Sequence, residues 1–280
     1  MLEHDRMLES EQTRNNNINR FNGFGQLYDE NRPQAPAAII PIIEGYLGGV
    51  PNTVVDVGCG TGLSSFIWLG EAQQIIGAEP NDDMRAAAVD KWRRLGEPAG
   101  IQFVRRLSHQ LELPGHSADV ITCSQSFHWM EPESTLAEFA RVLKPGGVFA
   151  AYDCDWPPAF RWEIEDQYLK LHALGDHLAR ELAPQDQQAR KWSKDEHLKH
   201  IRESGLFRYA REIVFHQTEK FDAGRYVNLA LSQGGIQTAL KLGAPDLPEA
   251  VEAFRVQAEA AFAGESRDLL ISYRMRIGVK

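Results

Sequence analysis

The stretch Val54-Val55-Asp56-Val57-Gly58-Cys59-Gly60-Thr61-Gly62 constrains this chain more than any other. An apolar, β-branched run short enough to be a buried strand breaks into three glycines at alternate positions. It continues into Leu63-Ser64-Ser65-Phe66-Ile67, which can start a helix. The order predicted is strand, glycine loop, helix. Glycine tolerates positive φ and carries no side chain, so a ligand can lie against the backbone of such a loop, beside the N–H groups of the helix start. The spacing is not the G-x-G-x-x-G dinucleotide pattern, and without a Lys the loop is not a phosphate-binding P-loop. An acid, Asp56, leads it instead.

Three further runs follow in order. Ile75-Ile76-Gly77-Ala78-Glu79-Pro80-Asn81 reads as a second buried strand ending in an acid one βα unit later. Asp119-Val120-Ile121-Thr122-Cys123-Ser124-Gln125-Ser126-Phe127-His128-Trp129 reads as a fourth strand with its loop, and Leu143-Lys144-Pro145-Gly146-Gly147-Val148-Phe149 as the turn into a fifth. Together, from Asn52 to about Asp153, these runs resemble the motifs of the class I S-adenosylmethionine-dependent methyltransferases, most closely the type 11 and trans-aconitate methyltransferase-like group. The resemblance implies an α/β fold: a Rossmann-like, doubly wound, seven-stranded sheet, mostly parallel with the last strand antiparallel, carrying helical lid insertions. It also implies S-adenosyl-L-methionine as cofactor. Asp56, Gly58, Cys59, Gly60, Thr61 and Gly62 would form its loop, Glu79 would hold the ribose hydroxyls, and Pro80, Met84, Ser108, His109, Ser124 and Gln125 would complete the cofactor site. His109 stands where the family commonly has an acid contacting the adenine amino group. A neutral His acceptor, a backbone carbonyl or a structural His are the readings open there.

At 280 residues, 43% hydrophobic and 25% charged, the chain can bury a full core as one large domain or a domain plus a cap. No run approaches the length of a membrane span, and the polar start lacks the basic-then-apolar pattern of a secretion signal, so a soluble, cytoplasmic protein without membrane association is expected. Three cysteines with no paired spacing imply neither disulfides nor a structural metal. A net charge of -9, with no dense Lys/Arg run, argues against nucleic acid as partner. A small-molecule substrate and a monomer or homodimer are expected. The clusters Lys91-Trp92-Arg93-Arg94 and Arg105-Arg106 read as solvated charges.

Residues 1–35 read as an N-terminal arm, polar and aperiodic over the first twenty, ending in a cofactor-closing segment. Within Phe21 to Pro33 the resemblance singles out Tyr28 and Arg32: Arg can pair with a carboxylate of cofactor or substrate, Tyr can donate a hydrogen bond to either, or the segment is a staple packing Phe24 and Tyr28 on the core. Residues 36–280 read as the methyltransferase domain. Helices are expected from about Pro36 to Leu47 and, capped by Asn81, from Asp82 to about Leu95. Cap insertions are expected at about 156–192, where Trp162 to Leu182 is amphipathic, and at 221–263.

Methyl transfer needs acceptor and methyl carbon held in line with water excluded, and acid–base help depends on the acceptor. A carboxylate needs no base and a hydroxyl needs one. In the loop after the fourth strand His128 is the candidate base, Tyr28 a second catalytic candidate, and packing of a His128-Trp129 pair the alternative. That loop lacks the Asn/Asp-Pro-Pro-aromatic sequence of many amino methyltransferases, which disfavours base or amide nitrogen. Asp153 and Asp155 alone lack the donors of a cation site, so no metal is expected. Trp129, Trp156, Trp162 and Gln233 are the candidate substrate residues; Arg161 and Arg225 either steer an acidic substrate or are solvated. O-methylation of a carboxylate or hydroxyl in a small metabolite is the first expectation. C-methylation of an activated carbon, or a cofactor-binding protein without turnover, are the alternatives.

Overall fold

A computed structural model describes residues 11–23 and 25–280, with only the backbone of residues 26–28. The side chain of Tyr28, and Phe24, lie outside the described residues. The described residues begin with helices α1 (Glu11–Asn19), α2 (Gly25–Asn31) and α3 (Ile39–Leu47). α3 begins after a turn at Pro36 and ends on Gly48, whose φ of 80° supplies the left-handed cap.

β1 (Thr53–Val57) is buried at all five positions, as the near-continuous apolar run requires of a central parallel strand. Val54, Val55 and Val57 are at most 1% exposed, each contributing about 1.5–3 kcal/mol by burial. β2 (Gln74–Ala78), α4 (Asp82–Arg94), β3 (Ile101–Val104), β4 (Ala118–Ser124), α5 (Pro132–Val142) and β5 (Leu143–Ala159) follow. α4 starts as expected: the Asn81 side chain accepts from the Met84 N–H. Next come α6 (Trp162–Leu182), α7 (His197–Glu203), β6 (Tyr209–Phe221), α8 (Ala223–Leu231), α9 (Gly234–Lys241), α10 (Leu247–Phe262) and β7 (Arg267–Val279). The sheet has seven strands in the order β3-β2-β1-β4-β5-β7-β6. β1 to β5 pair in parallel, while β7 runs antiparallel to both β5 and β6. The expected sheet and its antiparallel last strand are present.

Two apolar cores cover the sheet faces, one around Phe127, Phe139 and Phe149, the other around Ile39, Ile43, Trp68 and Tyr152. A third joins α6, α8 and α10 through Tyr168, Tyr226, Phe254 and Phe262. The insertions therefore form one packed cap. α9 lies close to α6 because Gly175 has no side chain; a Cβ there would sit 2.5 Å from Ile236.

Two expectations are corrected. The helix foreseen after the glycine loop is a short 3-10 turn, Phe66–Trp68, because Ser64 and Ser65 spend their hydroxyls on Asp56 and Gly62 turns the chain at φ 83°. The arm foreseen over the first twenty residues is, from Glu11 to Asn19, the helix α1. α1 has no apolar stripe for periodicity to reveal, and it is tied down by side chain to backbone bonds. The Asn17 amide donates to Trp129 O (3.1 Å) and accepts from Arg190 N–H (2.8 Å), and Asn16 donates to Asp186 O (2.7 Å). No helix among the described residues is long and apolar enough to cross a membrane.

Candidate active site

A cavity of about 1310 Å³ lies over the carboxyl ends of the parallel strands, where ligands of open α/β sheets collect. That exceeds the roughly 300–1,000 Å³ of a site for one small ligand, so there is room for two molecules side by side. Its sheet-side wall contains Gly58 and Gly60 after β1, Glu79, Pro80 and Met84 after β2, Ser108 and His109 after β3, and Ser124 and Gln125 after β4. The cap-side wall contains Arg20, Arg32, His128, Trp129, Trp156, Tyr168, Lys191, Lys194 and Gln233.

The loop geometry follows from its glycines. Gly58 has φ 67° and its N–H donates to Ala78 O at 2.8 Å, so β1 hands its chain directly across β2. A Cβ on Gly58 would lie 2.7 Å from the Ser126 side chain, which itself donates to Val57 O at 2.7 Å. Glu79 is buried; one carboxylate oxygen accepts from Gly60 N–H and the other from Asn81 N–H, both at 2.8 Å. Burial pushes its pKa up to about 7 against the pull of those two N–H groups. The carboxylate also lines the cavity and has lone pairs left for further donors.

Five residues expected at the cofactor or acceptor, Asp56, Cys59, Thr61, Gly62 and Trp162, do not line the cavity. Asp56 is fully buried beneath the loop, accepting from Ser64 and Ser65 (2.6 Å each) and Thr122 (2.9 Å), and does not line the cavity. It holds the loop's shape. Gly62 packs against aromatics, where a Cβ would lie 2.7 Å from Phe66 and 3.1 Å from Phe103. Trp162 is 75% exposed, on the face of α6 opposite the buried Ile164, Tyr168, Leu171 and Gly175. Cys59 and Thr61 line a crevice of about 50 Å³ behind the loop; the Thr61 hydroxyl donates to Asp29, which also pairs with Lys91. Arg161 lies near Glu163 and Arg225 pairs with Glu219, and neither lines the cavity.

The cap side is built around cations. Arg32 donates to Ser232 O (3.0 Å) and Gln233 Oε1 (3.2 Å) and lies over the Trp156 ring. Gln233 in turn donates to the Tyr168 hydroxyl at 2.8 Å. Arg20 lies 4.0 Å above the centre of the Trp129 ring, and its Nε is buried without a hydrogen-bond partner. Burial lowers its pKa to about 10, partly offset by Asp176, so it is charged at neutral pH. Gly234 and Gly235 allow this approach: a Cβ on the first would overlap Arg20, on the second Asp176. Lys194 bridges Gln125 Oε1 (2.8 Å) and Asp153 Oδ1 (2.9 Å).

His128 is buried, its Nδ1 3.5 Å from Asp153 Oδ1, and burial lowers its pKa to about 3 even against the neighbouring carboxylate. It is neutral at physiological pH. Asp153 is buried too, yet Lys194, His128 and His197 hold it below the usual carboxylate range. The sequence reading missed Arg20, Lys191, Lys194 and the partnership of Asp153 with His128. Their sole signal is basic character in segments read as arm and connector, and their partners lie far away in sequence.

The fold and the cavity define an α/β protein with a large cleft across its parallel strand ends. A family profile described as a methyltransferase domain matches residues 55–151. A methyltransferase of uncharacterised activity from Geobacillus thermodenitrificans is 31% identical over 160 residues, which are 55% of this chain and 72% of that protein. CRG1 of Saccharomyces cerevisiae, assigned as an S-adenosylmethionine-dependent methyltransferase, is 25% identical over 124 residues, 44% of this chain and 43% of its own length. CRG1 and a methyltransferase of uncharacterised activity from Mycobacterium bovis are matched over only about half their length, 43% and 58%. A solved structure, assigned as a type II methyltransferase of Anaeromyxobacter dehalogenans, shares the fold with a TM-score of 0.64 and 19% identity, over 89% of this chain and 97% of that one. The chain belongs to the class I S-adenosylmethionine-dependent methyltransferases, whose cofactor is S-adenosylmethionine. The residues present fit that cofactor: a glycine-floored wall, a buried carboxylate lining the cavity, and a volume sufficient for two ligands.

Proposed function

We propose that this protein transfers a methyl group from S-adenosylmethionine to an oxygen of a small acidic metabolite. The observation carrying this reading is the charge of the cavity wall. Among the described residues, eight Lys and Arg side chains line it against three Asp and Glu, in a chain whose net charge is -9. A concentration of cations so contrary to the whole chain selects an anion.

When bound, the sulfonium cofactor supplies an electrophilic methyl carbon. Glu79 would accept hydrogen bonds from its ribose hydroxyls, Met84, Leu107, Ser108 and His109 would hold its adenine, and Gly58 and Gly60 would let the backbone approach closely. Arg20 and Lys191 take the anionic group of the acceptor, and Arg32 fixes Gln233 beneath it. Trp129, Trp156 and Tyr168 press on its apolar body and exclude water. α1 closes the roof through Asn17. The test is to pass a metabolite extract over an anion exchanger and incubate each fraction with radiolabelled cofactor. Label incorporated from the retained fraction supports the reading. Incorporation confined to the flow-through, or tight cofactor binding with no incorporation at all, refutes it.

A further inference from the structure

The buried polar atoms behind Trp129 are unusual in number. His128 Nδ1 and both ring nitrogens of His197 lie out of solvent with no aligned hydrogen-bond partner, and the buried Asp153 Oδ1 beside them meets the Lys194 ammonium at 2.9 Å. Buried polar groups are nearly always paired, so atoms left this way mark a place where the arrangement tightens or changes during use. His128 Nδ1 and Asp153 Oδ1 are 3.5 Å apart. His197 Nε2 is 3.9 Å from Asp153 Oδ2, and Lys194 and Arg276 reach the same carboxylate at 2.9 and 3.4 Å. The three potential metal-ligating side chains, His128, Asp153 and His197, come within 4.8 Å of one another. Two fixed cations already balance Asp153, however, and a divalent ion would have to sit beside both, which argues for proton chemistry over metal binding.

We infer that His128 takes the proton of the methyl acceptor, that Asp153 is the positioning residue that keeps the proton of neutral His128 on Nδ1, and that the reacting atom is therefore a hydroxyl oxygen of the acidic metabolite. This rests on the reading of the site given above and narrows it. With Nδ1–H directed at Asp153, Nε2 presents a lone pair to the cavity wall that His128 lines. A lone pair there receives a hydroxyl proton and repels a carboxylate. The balance is simple. The acceptor oxygen gains the methyl carbon and gives its proton to Nε2, the electron pair of the broken carbon–sulfur bond stays on sulfur, and the positive charge passes from sulfonium to imidazolium. The hydroxyl proton becomes strongly acidic as the new bond forms, so a weakly basic imidazole suffices. The groups around that imidazole are Asp153, Lys194, Lys191 and His197, and the imidazolium then loses its proton to water.

Nitrogen-15 NMR of the cofactor-free protein reads the tautomer directly, with H128N identifying the signal. The proposal expects Nδ1–H in the wild type at pH 7 and a shifted tautomer balance in D153N. An Nε2–H wild type overturns it, as does one equivalent of bound zinc by elemental analysis. The labelled product from the retained extract fraction is then treated with alkali. A stable ether supports the proposal, whereas release of labelled methanol identifies an ester and overturns it while leaving O-methylation of an acid intact. On that acceptor H128N is expected to lower kcat by about 10²–10⁴-fold with S-adenosylhomocysteine affinity unchanged, and an undiminished kcat overturns the assignment. If no fraction is methylated, the reading of the site as a methyltransferase fails, and the tautomer alone decides the His128–Asp153 pair.

Discussion

Cofactor affinity should depend on pH through Glu79. Burial raises its pKa from 4.5 to about 7 in the cofactor-free protein, while the ribose hydroxyls, as donors, require the ionised carboxylate. If only the ionised form binds, the observed association constant scales with the ionised fraction, about 10/11 at pH 8 and 1/11 at pH 6. Affinity should fall about tenfold between those values, or about 1.4 kcal/mol, and level off above pH 8. The sign for stability is opposite. The folded, cofactor-free protein holds the proton more tightly than the unfolded chain, so this contribution is present below pH 4.5 and is lost as pH rises through about 7; it amounts to the order of 3 kcal/mol. Calorimetric titration with S-adenosylhomocysteine from pH 5.5 to 8.5, in buffers of different ionisation enthalpy, measures affinity and proton release together. Glu79→Gln should bind roughly tenfold to 150-fold more weakly at pH 8, the loss of about 1.5–3 kcal/mol for a charged hydrogen bond, and should lose the pH dependence. Since Glu79 also holds the Gly60 and Asn81 N–H groups, melting temperature must be measured beside affinity. A wild-type dissociation constant that stays flat over this range, with no proton released, would refute the argument.

Arg20→Ala should raise the KM of the acidic acceptor roughly tenfold to a hundredfold and leave cofactor affinity within about threefold; an unchanged KM removes Arg20 from the acceptor wall. Gln233→Ala should impair acceptor kinetics, because Arg32 and the buried Tyr168 hydroxyl both lose a partner, whereas Trp162→Ala should change neither kinetics nor stability by more than about 0.5 kcal/mol. Equal effects in steady-state assays would contradict the placement of the two. Gly62→Ala should destabilise by about 2–5 kcal/mol, combining positive φ with overlap on Phe66 and Phe103, as read by denaturant unfolding. Asp56→Ala should cost at least about 2 kcal/mol by stranding Ser64, Ser65 and Thr122, and its weaker cofactor binding should track the fall in stability. Loss of binding with unchanged unfolding would instead put Asp56 in contact with the cofactor.

Where a segment's structure depends on its own neighbours, the sequence was readable. β1 and β2 are buried over most of their length and show as short runs dominated by apolar residues, Asn81 caps at short range, and α6 spans the amphipathic stretch read from Trp162 to Leu182. The misplacement of Trp162 was avoidable. Ile164, Tyr168, Leu171 and Gly175 form the inward stripe of α6, and a residue two places before that stripe lies about 200° away around the helix. Asp56 was harder, since its partners' hydroxyls lie in the loop itself and in β4, 66 positions on. Arg20, Lys194 and Asp153 carry no local pattern at all. Their meaning arises only when α1, the connector before α7 and the carboxyl end of β5 meet around one cavity.

The excursion that supplies part of the cavity's cap-side wall leaves the sheet at Phe221 and returns at Arg267, and these two residues face each other in the β6–β7 register. Helices α8 to α10 are therefore, topologically, the loop of one long hairpin, and the entropic cost of closing such a loop grows only with the logarithm of its length. Evolution can lengthen, shorten or replace this segment without moving a strand that serves the cofactor. New acceptor preferences can thus arise by exchange of a single cassette, while the machinery that delivers the methyl group is inherited unaltered.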